Sequence, residues 1–175
     1  MGDGEDSMAV TLRRRRFMLD DYHRMGETGI LGEDDRVELI EGEIIEMSPI
    51  GSRHDGTVAR IHHLFSTRLG DRAVVWSQSP LLLARDQSEP QPDVMLLAPR
   101  ADFYAGGLPE PPELRLLVEV ADSSLLYDRR TTFPLYARSG VAEAWLVDLD
   151  SCRLELHRGA GSAGYRDVRV PGLLG

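Results

Sequence analysis

The stretch Leu114-Arg115-Leu116-Leu117-Val118-Glu119-Val120-Ala121-Asp122-Ser123-Ser124 decides how the rest of the chain is read. Residues 114–121 are apolar except for Arg115 and Glu119, over a length that suits a buried strand better than a helix. A carboxylate inside such a run costs several kcal/mol unless it is paired, protonated or bound to a metal. Upstream stands a second apolar strand, Pro92-Asp93-Val94-Met95-Leu96-Leu97, whose Asp93 lies 26 residues before Glu119. Two strands that each carry one acid can bring both to one edge of a sheet. Two or three carboxylate oxygens plus waters are what Mg2+ takes, and such an ion activates water and neutralises a phosphodiester. The alternative is that Glu119 simply pairs with one of the arginines.

Outward from these strands the pattern alternates between helix and strand. Residues 19–28 suggest a short helix ending near Gly29. Residues 36–40 and 43–47 flank Glu41-Gly42, an acid-then-glycine hairpin signal. In residues 52–69, Val58, Ile61, Phe65 and Leu69 form one apolar helical stripe, stopped by Gly70-Asp71. Strands are expected at 73–76, 80–84, 93–97, 114–121, 144–149, 153–158 and 165–170. Residues 100–112, rich in glycine and proline, read as a mobile loop. A second long helix is expected over 123–139, capped by Asp122 or Ser123, closed by Gly140 and kinked by Pro134. The order predicts an α/β (α+β) domain, a mixed β-sheet flanked by helices, spanning 17–175 behind a disordered or extended acidic leader over 1–16.

Composition narrows the functions. The net charge of −9 counts against a broad sequence-independent phosphate-binding face. It leaves room for a narrow site where a metal supplies the positive charge. All 20 basic residues are arginine, so no chemistry here can use a lysine of the chain's own. The run from Arg13 to Arg16 reads as a solvated segment. A single cysteine, Cys152, permits no intrachain disulfide and fits a reducing compartment. With no apolar run of membrane length and no signal-peptide pattern, the cytoplasm is the expected address and no membrane partner is expected.

Further candidates surround the two acids. Asp128 and Thr132, four residues apart, share a helix face, with Arg129 and Arg130 beside them. Glu38 lies in the first expected strand with Glu41 and Glu43 near it, and His54 opens the apolar stripe of the 52–69 helix, where it could serve as proton carrier or ligand or be a structural histidine. No Cys/His spacing suggests zinc, and Cys152 has no histidine partner.

Taken together, Val37-Glu38-Leu39-Ile40-Glu41-Gly42-Glu43-Ile44, Met47-Ser48-Pro49, His54, Pro92-Asp93-Val94, Leu117 to Ser124, Tyr127-Asp128-Arg129, Leu135 to Val141 and Trp145-Leu146-Val147-Asp148 resemble the Uma2 family from about Phe17 to Arg158. The resemblance implies a restriction-endonuclease-like fold of the PD-(D/E)XK superfamily, an Mg2+-dependent DNA endonuclease (with Mn2+ as a substitute) and a compact homodimer. It implies that Asp93 and Glu119 hold the metal and that Glu38 is an accessory acid. One position departs: the family usually has a lysine where Thr132 stands. Arg129 or Arg130 would then have to supply the missing charge, with His54 and Asp128 as further accessory candidates. The alternative, for which Thr132 and the acidic net charge speak, is a catalytically inactive nuclease-fold homo-oligomer that serves in binding or assembly.

Overall fold

A computed structural model describes residues 14–171 apart from Glu33, Ser48 and Ile50. Most of the expected leader, Arg13 of the arginine run, Ser48 of the family-like motif and the last four residues therefore lie outside the described residues. The chain begins with helix α1 (Leu19–Glu27), followed by hairpin strands β1 (Val37–Ile40) and β2 (Glu43–Glu46). Glu41 (φ 51°) and Gly42 (φ 78°) make the tight turn between them. A Cβ on Gly42 would stand 2.8 Å from the carbonyl oxygen of Phe17, which crosses the turn with its own N–H on the Gly42 carbonyl. Arg16 donates to the Glu41 carbonyl, so the leader's last residue is docked onto the hairpin.

Helix α2 (Ser52–Leu69) leads into a six-stranded sheet: β3 (Val74–Ser77), β4 (Val94–Leu97), β5 (Leu114–Ala121), β6 (Glu143–Asp148), β7 (Arg153–Arg158) and β8 (Asp167–Arg169), side by side in that order. Only β5 and β6 run parallel. Parallel neighbours need a crossover, and the segment between Asp122 and Gly140 provides it. The α2 stripe of Val58, Ile61, Phe65 and Leu69 covers Val94, Leu96, Leu116, Val118 and Val120 on one face. Phe133, Leu135 and Tyr136 of the crossover pack on the other, over Met95, Leu97, Leu117 and Leu146. Strand β5 is buried on both faces, which is why it reads as a nearly unbroken apolar run.

Three expectations are corrected. Residues 80–84 form no strand. Leu81 and Leu83 are buried, but their N–H groups donate to the carbonyls of Pro90 and Ser88, and a tight turn follows at Ala84–Asp86. Pro80, Pro90 and Pro92 lack the donors that a ladder needs. The segment 100–112 is pinned: Arg100 pairs with Asp102 and Glu113 and stacks 4.1 Å from the centroid of buried Tyr104, whose hydroxyl donates to the Ala98 carbonyl. The crossover helix is not continuous. It comprises one turn, α3 (Leu125–Tyr127), a wide turn over Asp128–Thr132, and α4 (Phe133–Ser139). Pro134 has no N–H for the ordinary i−4 bond, and the chain widens so that Phe133 N–H reaches the Asp128 carbonyl five residues back. Gly140, at φ 94°, ends α4. Neither Asp122 nor Ser123 caps this helix: Ser124 occupies the cap position, and its hydroxyl turns to Asp128.

Candidate active site

Register places the two acids together. Strands β4 and β5 pair antiparallel with Val94 opposite Val118 and Met95 opposite Leu117. Continuing that register sets Asp93, just before β4, across from Glu119. Side chains alternate along a strand, so Asp93 falls on the face of Met95 and Leu97, and Glu119 on the face of Leu117 and Ala121. The Asp93 N–H donates to Glu119 Oε2 at 3.2 Å, and the Val120 N–H donates to Asp93 Oδ2 at 2.8 Å. The acids meet where β4 begins and β5 ends, at the open end of the sheet.

Three further elements wall a pocket of about 390 Å³ around them. From the first turn of α2, His54 Nε2 lies 3.1 Å from Asp93 Oδ2, while its Nδ1 is buried with no hydrogen-bond partner among the described residues. From β1, Glu38 Oε1 accepts the Gln91 N–H at 2.6 Å. The crossover contributes Asp128, Thr132 and Tyr136, spaced by four along one helix face. The Ser124 hydroxyl donates to Asp128 Oδ2 at 2.6 Å, and the fully buried Tyr136 hydroxyl donates to Glu119 Oε1 at 2.6 Å.

Crowding carboxylates in a half-buried space raises their proton affinity. Burial first, then the charges of Asp93 and Asp128, holds Glu119 well above the usual carboxylate range. Burial lifts Glu38 to about 7, with Asp128 and Asp93 adding to it against the pull of the Gln91 N–H. Asp128 is lifted to about 6, also mainly by burial. The hydrogen bond to Asp93 pushes His54 up. Desolvation and the Glu119 charge push Tyr136 well above its ordinary value, so it remains a neutral donor. The site is thus short of positive charge.

The family model for Uma2, described as "Putative restriction endonuclease", matches residues 19–174. The chain belongs to the Uma2 family. No curated protein sequence matches it. Among solved structures, this Uma2 chain is similar to a crystal structure of "a putative nuclease belonging to DUF820" from Anabaena variabilis, with a TM-score of 0.64 at 16% identity over 88% of this chain and 83% of the other. At that identity the likeness shows the fold alone, a mixed sheet flanked by helices.

The donors suit a hard divalent cation. Asp93, Glu119, Glu38 and Asp128 offer oxygen donors, and no cysteine lines the pocket among the described residues. Among the described residues no group of three His, Cys, Asp or Glu side chains is gathered into a preformed cage. Mg2+ binds through one or two carboxylates and keeps several waters. Asp93 and Glu119 would hold the ion.

The two arginines expected to supply charge do not. Arg129 turns away from the pocket to Glu155 on β7, with Asp148 Oδ2 at 4.0 Å. Glu155 and His157 are buried on β7, His157 against the Phe133 ring, and the guanidinium is the counter-charge of Glu155. Arg130 is exposed and does not line the pocket. Thr132 is buried against Asp128 and lines the pocket with a hydroxyl in place of a cation. His62 serves Ser77 at 2.8 Å on β3. Sequence reasoning missed Tyr136 and Gln91. Tyr136 was findable, because extending the Asp128–Thr132 spacing by four reaches it. Gln91 contributes a main-chain N–H, for which no sequence signal exists.

Proposed function

We propose that the chain is a divalent-metal-dependent DNA endonuclease of the PD-(D/E)XK type, hydrolysing phosphodiesters at the Asp93–Glu119 site. One observation carries the reading: two carboxylates far apart in sequence meet on one sheet face inside an open pocket, with two more acids around them. A bound Mg2+ or Mn2+ would supply a water of lowered pKa and offset charge on the phosphate. Within the chain, Asp93 and Glu119 bind the cation. Tyr136 and the main-chain N–H groups of Asp93 and Val120 fix the orientation of both acids. His54 holds Asp93 through Nε2 and would assist, through a water, in the relay of the proton that the attacking water gives up. Glu38 is the second group available for that relay. The same reading takes nucleic acid as the partner, the cytoplasm as the compartment and a homodimer as the assembly. The single cysteine supports the compartment; among the described residues no helix is long and apolar enough to cross a membrane.

The test is relaxation of supercoiled plasmid with Mg2+ or Mn2+ by the wild type and by Asp93→Ala. Cleavage by the wild type that the variant loses is expected. Equal cleavage by both points to a contaminant and ends the reading. A second reading, an inactive nuclease-fold protein kept for binding or assembly, draws on the neutral Thr132 and the diversion of Arg129 to Glu155. It predicts no cleavage with any divalent ion.

A further inference from the structure

Hydrolysis of a phosphodiester builds negative charge on the phosphate, and this pocket is already lined by acids, Glu38, Asp93, Glu119, Asp122 and Asp128 among them. A cation of the protein facing the incoming phosphate would offset that charge in addition to any metal ion. The structure commits most nearby arginines elsewhere. Arg53 pairs with Asp122 at 3.4 Å and Asp150 at 3.0 Å and donates to the Leu149 carbonyl. Arg129 is held by Glu155, and Arg138 by Glu41 at 2.8 Å and Asp86 at 3.4 Å. Among the described residues one arginine lines the pocket, Arg36.

Its placement follows from the hairpin. Residues two apart on a strand share a face, so Arg36, just before β1, points the same way as Glu38. Opposite them Ile45 pairs with Glu38, and the Met47 N–H donates to the Arg36 carbonyl at 2.8 Å. All four residues line the pocket, so one hairpin face forms its wall. The main chain of Arg36 is therefore fixed. Its exposed side chain has no hydrogen bond or ion pair among the described residues, despite the surrounding acids.

We propose that Arg36 contacts the substrate phosphate and steadies the charge that develops on it, a role that rests on the endonuclease reading above. A guanidinium presents two parallel N–H groups to phosphate oxygens and stays protonated, so Arg36 stabilises charge and is not the base. The variants Arg36→Gln and Arg36→Lys test this beside the wild type and Asp93→Ala. Steady-state cleavage of a fluorescent oligonucleotide with Mn2+, Mn2+ affinity by calorimetry, and thermal melting are the readouts. Arg36→Gln is expected to lose about 10²–10³ in kcat, Arg36→Lys to recover part of it, and both to keep wild-type Mn2+ affinity and melting. Cleavage by Arg36→Gln within threefold of wild type overturns the assignment and leaves the endonuclease reading standing. Loss of Mn2+ affinity or of melting temperature in Arg36→Gln overturns it in favour of a structural role. Absence of Asp93-dependent cleavage in the wild type removes the endonuclease reading and this assignment with it.

Discussion

Replacing Glu38 by glutamine should make the metal-free protein more stable at pH 8 and leave it almost unchanged near pH 4.5. Glutamine keeps the shape of the side chain and the oxygen that accepts the Gln91 N–H. What it removes is a charge the pocket disfavours. Glu38 titrates at about 7 in the fold against 4.5 for an ordinary glutamate, because it is buried and faces Asp128 and Asp93. Below 4.5 both folded and unfolded chains carry the proton, and the group contributes nothing. Between 4.5 and 7 only the unfolded chain releases it, so stability falls as pH rises. Above 7 the loss is complete. At 1.36 kcal/mol per pKa unit it amounts to about 3 kcal/mol at most. For a domain of this size that corresponds to roughly 6–12 °C in melting temperature. The assay is urea and thermal denaturation of wild type and Glu38→Gln in chelator from pH 4.5 to 8.5, repeated with excess Mn2+. Bound cation offsets the crowding, so the variant's advantage at pH 8 should shrink when Mn2+ is present. The apparent Mn2+ affinity of the wild type should climb between pH 6 and 8, as Asp128 (about 6) and Glu38 (about 7) give up their protons. A variant no more stable than wild type at pH 8 in chelator would refute the crowding argument.

Three other outcomes follow from the same geometry. Thr132→Lys should raise plasmid cleavage about tenfold or more, since its ammonium would enter the pocket beside Asp128; an unchanged rate would show that charge at this position is not what limits the reaction. Tyr136→Phe should destabilise the fold by about 1–2 kcal/mol in chemical denaturation by leaving Glu119 Oε1 without its donor, and a cost within ~0.3 kcal/mol would mean another group takes over. Arg129→Ala should cost about 1–3 kcal/mol, discounted for the partial exposure of the guanidinium, because buried Glu155 loses its partner. Its Mn2+ affinity by calorimetry should stay at the wild-type value, and a selective loss of metal binding would place Arg129 at the site after all.

The linear order of residues determined the layers and singled out the two acids that meet in the candidate site. Strand β5 and helix α2 were legible to the residue because their signals are local: an apolar run of strand length and a stripe at helical spacing, each closed by a turn signal. Asp93 and Glu119 were legible because an acid in an apolar strand is costly enough to demand a reason. What only the tertiary structure decided is where long side chains end. Arg129 and Arg130 precede Thr132 on the same wide turn, yet Arg129 is drawn to Glu155, 26 residues away in sequence. Arg36 reaches the pocket from a hairpin laid over the sheet end. The 80–84 stretch had the composition of a strand and became a loop wall, because its partners were proline-rich segments that lack donors. Local propensity can specify which element forms. Which cation meets which carboxylate depends on distances across elements far apart in the chain, and no spacing within one element encodes them.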